Sequence, residues 1–213
     1  MLKIAILGAE CTGKSELAKA LAHRLSAGES KAVWIPEVLR GWCDREGRTP
    51  LAHEQSAIAL EQMRQAETAP PCDFLLIDSP PIMTALYSDL YFSDDSLYPC
   101  ALSDLRHTHL TLVMGLDLEW VADGIQRDGP VMRQQVNQRL RHILDAALQP
   151  YTVIYGTGSA RTDSALRAID ALARPHRLQA PSRGAAWVWH CDNCSDAPCE
   201  HRLFTDRLRI KSS

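Results

Sequence analysis

Short apolar runs alternate with amphipathic stretches along most of this chain. Met1–Leu7, Lys31–Pro36, Asp73–Asp78, His109–Met114 and Tyr151–Tyr155 are brief and rich in Leu, Ile and Val, which predicts strands. Asp73–Asp78 is apolar throughout its middle and reads as a strand buried on both faces, of the parallel-sheet type. Between the runs the period lengthens. Leu17, Leu21 and Leu25 recur every fourth residue and predict a helix over Glu16–Leu25. Leu51 to about Thr68 reads as a helix with Ala52, Ala59, Met63 and Ala66 near its apolar side. Val131–Leu148 carries Val136, Leu140, Ile143, Leu144 and Ala147 on one side, and Ala160–Ala173 is also helical. Strands alternating with helices predict an α/β fold: a five-stranded parallel sheet with helices on both faces and right-handed crossovers. Ligands then gather at the carboxyl ends of the strands.

The alternation stops near Arg174-Pro175-His176. Residues 1–173 form the predicted core domain, 174–186 read as a polar linker, and 187–213 as a Cys/Trp-rich tail. The 213 residues are 46% hydrophobic and 23% charged, ordinary for a globular protein. A net charge of −3 argues against broad nucleic-acid binding. No apolar run approaches the ~18 residues that cross a bilayer, and the first strand begins at the N-terminus without a leader pattern. A cytoplasmic location is therefore expected, where seven cysteines serve as thiols or metal ligands rather than disulfides.

Gly8-Ala9-Glu10-Cys11-Thr12-Gly13-Lys14-Ser15 matches the phosphate-loop template at every fixed position, between a predicted strand and a predicted helix. Its glycines let main-chain N–H groups turn inward toward phosphate oxygens, and the helix adds its positive end. Lys14 is expected on the β/γ-phosphates of ATP and the Ser15 hydroxyl on Mg²⁺. Asp78 ends a buried strand, where a carboxylate can hold Mg²⁺ through water; a turn or helix-cap role is the alternative. Glu37 and Arg40 follow the second strand. Glu37 there can accept a hydroxyl proton, hold a ribose, or merely start a helix. Arg127 and Arg133 flank Gly129-Pro130 and are candidates for a closing, charge-bearing lid, or else solvated charges. Arg139 and Arg141 read as surface charges. Gly156-Thr157-Gly158-Ser159 borders the nucleotide base or is a plain turn.

Taken in order, Gly8–Ser15, Pro36-Glu37-Val38-Leu39-Arg40, Ile77-Asp78 with Thr84, Glu119-Trp120-Val121-Ala122-Asp123-Gly124-Ile125-Gln126-Arg127 and Arg133-Gln134-Gln135 resemble a known family. It is the ribosylnicotinamide kinase domain of bifunctional bacterial NAD-biosynthesis regulators, within a wider group of small P-loop kinase-like ATPases. The resemblance spans residue 1 to about 173. It implies ATP·Mg²⁺ binding and γ-phosphoryl transfer to the ribose hydroxyl of nicotinamide riboside. It further implies Lys14 and Ser15 on phosphates and metal, Asp78 on the metal or the hydroxyl, and Glu37 and Arg40 beside the substrate. Arg127 and Arg133 match the lid arginines, and Gln62 falls where the family often has a glutamine facing the substrate. Cys11 stands where Ser is usual, and Ser79-Pro80-Pro81 departs from the regulators' pattern. No adenylyltransferase or DNA-binding module is expected ahead of the loop.

In the tail, Cys191, Cys194, Cys199 and His201 are spaced so that one tetrahedral Zn²⁺ can be gripped, with His190 an alternative fourth ligand. Reduced thiols or a redox pair are the other readings. The sequence thus points to a kinase of a nucleoside-like small molecule, with homo-oligomers open. The competing class is a regulatory or accessory ATPase whose tail binds a partner. A nucleic-acid-associated ATPase is the weakest.

Overall fold

A computed structural model of the chain describes residues 1–121 and 129–173. Arg127, the 174–186 linker and the tail with Cys191, Cys194, Cys199 and His201 lie outside them. The described chain runs β1 (Leu2–Leu7), α1 (Lys14–Leu25), β2 (Ala32–Ile35), α2 (Val38–Glu46), α3 (Gln55–Glu67), β3 (Phe74–Asp78), α4 (Pro81–Phe92), α5 (Tyr98–Leu105), β4 (Leu110–Met114), α6 (Pro130–Ala146), β5 (Thr152–Ile154) and α7 (Gly158–Ala173). The expected α/β architecture is present: a five-stranded sheet in the order β2-β3-β1-β4-β5, parallel at every pairing. No helix among the described residues is long and apolar enough to cross a membrane.

Alternation along β1 divides the core. Ile4 and Ile6 join Leu76, Leu112 and Met114 beneath α1 and α7. Ala5 and Leu7 face the other way, with Val113, against α4, α5 and α6. Leu75 and Ile77 share that second face with Ala66 of α3. Because β1 is central, its end and the end of β3 lie side by side, with Ile6 opposite Asp78. That register sets the site.

Three helices, α2, α4 and α5, were not read from periodicity. In α4, every residue from Pro81 to Leu86 is buried, so no polar face remains to mark a period. Two further expectations change. Ala52 is exposed, lying in a single 3₁₀ turn ahead of α3, and Ile58 takes the core place instead. Arg139 is not a plain surface charge: its Nε and Nη2 donate to Asp89 of α4 at 2.9 and 2.7 Å, and the Tyr98 hydroxyl of α5 donates to the same oxygen at 2.8 Å. Burial pushes the Asp89 carboxyl up, but these two donors hold it below its usual range. Arg139 belongs to a seam joining three helices.

Candidate active site

The Gly8–Ser15 loop leaves β1 through conformations that favour glycine. Gly8 has φ +150° and a Cβ there would stand 2.9 Å from the Met114 Cβ; Gly13 has φ +76° and caps α1. Between them Cys11 takes φ +56° without being glycine. Its sulfur is engaged, donating to the Glu119 oxygen at 3.4 Å and accepting from the Val121 N–H at 3.1 Å. The thiol therefore ties the loop to the segment after β4. Inside the loop, Thr12 Oγ1 and Lys14 Nζ both donate to the Ala9 oxygen, at 2.7 and 3.0 Å. The Lys14 ammonium is buried (8% exposed) and rests on its own loop's carbonyl, where an incoming polyphosphate would meet it. The donor set fits a polyphosphate.

Ser15 Oγ donates to Asp78 Oδ2 at 2.5 Å. Asp78 is fully buried at the last position of β3. It caps no helix, because Pro80 takes that place ahead of α4. Ser79 turns the chain at φ +52°, with its N–H on the Ile6 oxygen at 3.0 Å and its hydroxyl on Asp78 at 3.3 Å. A hydroxyl and a carboxylate so joined suit a Mg²⁺ that accompanies a nucleotide.

Glu37 immediately precedes α2 and lies near Lys14, Asp78, Arg40 and Ser79. Burial pushes its carboxyl up; Lys14 opposes this, Asp78 adds to it, and Arg40 and Ser79 oppose it in turn, leaving it above its ordinary value. Arg40 Nε stands 3.8 Å from Glu37 Oε2. Gln62 reaches this turn differently from the sequence expectation. Its Oε1 accepts from the Val38 N–H at 2.8 Å and its Nε2 donates to the Pro36 oxygen at 3.2 Å. It braces the main chain on both sides of Glu37, and its amide is spent there rather than in a pocket.

Two cavities open here. One, about 400 Å³, is lined by Glu10, Lys14, Glu37, Gln55, Tyr87 and others. The second, about 610 Å³, is lined by Ser15, Asp78, Glu37, Trp34 and Trp42 among others. Glu37 and Arg40 belong to both walls. Arg133, in the first turn of α6, is 5% exposed, and its Nε and Nη2 have no hydrogen-bond partner among the described residues. Such a guanidinium invites an anion.

Sequence reasoning missed Arg161. Its Nη1 donates to the Thr12 main-chain oxygen, and its Nη2 to Asp117 Oδ1 at 2.6 Å. The other Asp117 oxygen accepts the Gly156 N–H at 2.5 Å. One signal was available: a cation in the first turn of α7 opposes the helix dipole and needs a reason to be there.

The model of a family described as an AAA domain matches residues 3–161. No curated protein sequence matches the chain. Among solved structures, the NadR protein in complex with NR is similar at 20% identity, covering 80% of this chain and 51% of that one, with a TM-score of 0.67. A thymidylate kinase from Candida albicans is similar at 17% identity, covering 80% and 91%, with a TM-score of 0.60. A deoxyadenosine kinase from M. mycoides is similar at 12% identity, covering 80% and 100%, with a TM-score of 0.54. The chain spans about half the length of the NadR chain it matches. At these identities the likeness is one of fold, the fold of P-loop kinases.

Proposed function

The chain belongs to the AAA domain family, and we propose that it is an ATP-dependent kinase of a nucleoside-like hydroxyl, with nicotinamide riboside as the leading acceptor. The observation that carries this is the shared position of Glu37. It lies near Lys14 and Asp78 on the phosphate side and lines the 400 Å³ cavity, which this reading assigns to the nucleoside. The likeness to a nicotinamide riboside complex and to two nucleoside or nucleotide kinases supports the acceptor class.

In this reading Lys14 leaves the Ala9 oxygen for the β- and γ-phosphates. Ser15 and Asp78 hold Mg²⁺, which neutralises charge on the phosphates when bound. Glu37 takes the proton of the acceptor hydroxyl as that oxygen bonds to the γ-phosphorus and the bridge to ADP breaks. A carboxylate raised toward neutrality is a better proton acceptor than an ordinary one. Gln62 and Arg40 keep Glu37 in place. Arg133, with Arg127, supplies positive charge over the transferring group.

The test is purified full chain with ATP·Mg²⁺ and a panel of nucleosides that includes nicotinamide riboside, thymidine and deoxyadenosine. Acceptor-dependent ADP release, lost in Asp78→Asn, is the expected result. Absence of such release across the panel removes the proposal.

A further inference from the structure

One wall atom of the 400 Å³ cavity has no hydrogen-bond partner among the described residues. Gln55, the first residue of α3, lines that cavity, is 3% exposed, and its Oε1 makes no hydrogen bond among the described residues. Buried amide oxygens are almost always satisfied, so one left bare at a cavity wall is a place for a ligand's donor.

The remaining wall defines what would carry the donor. Tyr87 and Tyr91 stand one turn apart on α4, rings 6.1 Å apart at 24°, with Phe92 beside them. Leu39 and Cys43, four residues apart on α2, also line the cavity. Burial, then Glu37 and Asp44, push the Cys43 thiol up, so it stays uncharged. An aromatic and aliphatic slot with one polar end suits a planar ring.

The turn that leads into Gln55 is braced. Arg48 clamps Glu54 through both carboxylate oxygens at 2.7 and 2.8 Å, and the Leu51 N–H donates to the same carboxylate at 2.7 Å. The Arg48 guanidinium lies 4.8 Å above the Trp42 ring. A brace immediately before Gln55 fixes the start of α3, the element that carries this side chain to the cavity wall.

We propose that Gln55 selects the acceptor: its Oε1 receives a hydrogen bond from an amino or carboxamide N–H on a planar ring lodged in this cavity, whose sugar hydroxyl reaches Glu37. This deepens the kinase reading and rests on it for the word acceptor. A ring bearing a carboxylate in the same place offers no donor at neutral pH and sets its charge against the bare oxygen.

Calorimetric titration of the full chain with two probe pairs tests it: nicotinamide riboside against nicotinic acid riboside, and adenosine against purine riboside. In at least one pair the donor-bearing ring is expected to bind about ten-fold tighter or better. Gln55→Leu and Gln55→Met are expected to bring that ratio below about three-fold. Where turnover occurs, they raise the acceptor KM at least ten-fold while kcat changes less than about three-fold. Neither variant is expected to melt lower, because each removes an unpartnered polar atom and keeps the volume. No binding of either pair, no preference within either pair, or a preference unchanged in both variants overturns the proposal. Binding with this preference but without phosphoryl transfer refutes the kinase reading and leaves Gln55 assigned.

Discussion

Arg161 donates to the main-chain oxygen of Thr12 across 149 residues of sequence. The same guanidinium pairs with Asp117, whose other oxygen holds Gly156. The loop after β5 is thereby joined to the phosphate loop through one buried cation, its side chain 6% exposed.

Removing that cation strands the Thr12 oxygen and half-buried Asp117 together. Arg161→Ala is expected to cost about 2–4 kcal/mol, less than a fully buried pair because Asp117 retains some solvent. The melting temperature falls by roughly 5–10 °C for a domain of this size. ATP affinity falls with it, since the loop loses its brace, and Arg161→Lys recovers part of both. A melting curve within a degree of the unaltered chain contradicts this.

Glu37 gives the reaction a pH signature. Its burial-raised pKa means the carboxylate forms only above the ordinary range near 4.5, so kcat/KM is expected to fall on acidification with a midpoint above that value. Glu37→Gln lowers kcat by about 10²-fold or more and flattens that limb. Stability runs the other way. The native state binds more protons than the unfolded chain between the ordinary and the raised pKa, so this group's contribution falls as pH rises through that window. Glu37→Gln should therefore melt higher than the unaltered chain at neutral pH. A lower melting point there would count against a buried, desolvated carboxylate.

The seam at Asp89 has the opposite sign. Its lowered pKa stabilises the fold above the ordinary carboxylate range, and that stability is lost as pH falls through the lowered value. Arg139 is 41% exposed in its side chain, so Arg139→Ala is expected to cost only about 1 kcal/mol, and less at high salt. Tyr98→Phe should cost a similar amount and show no salt dependence. Melting at two salt concentrations separates the two.

For the tail, metal analysis of the purified full chain is expected to find about one zinc, lost in Cys191→Ser and Cys194→Ser together. A zinc-free protein returns those cysteines to plain thiols.

From residue order alone came the strands, the helices α1, α3, α6 and α7, the phosphate loop, and the candidacies of Asp78 and Glu37. Each depends on local pattern: a short apolar run, a four-residue period, a glycine-bounded loop, a carboxylate just past a strand. Tertiary structure decided the rest. Parallel pairing set Ile6 opposite Asp78 and so brought Ser15 within 2.5 Å of a carboxylate 63 residues away. Burial of every residue from Pro81 to Leu86 erased the period of α4, and with it any sign that Tyr87 and Tyr91 line a cavity. Gln62 and Gln55 are the same residue type a few positions apart, yet one amide is filled by main chain and the other's oxygen has no hydrogen-bond partner among the described residues. Nothing in a linear string distinguishes them, because hydrogen-bond satisfaction depends on what the folded chain places within three ångströms.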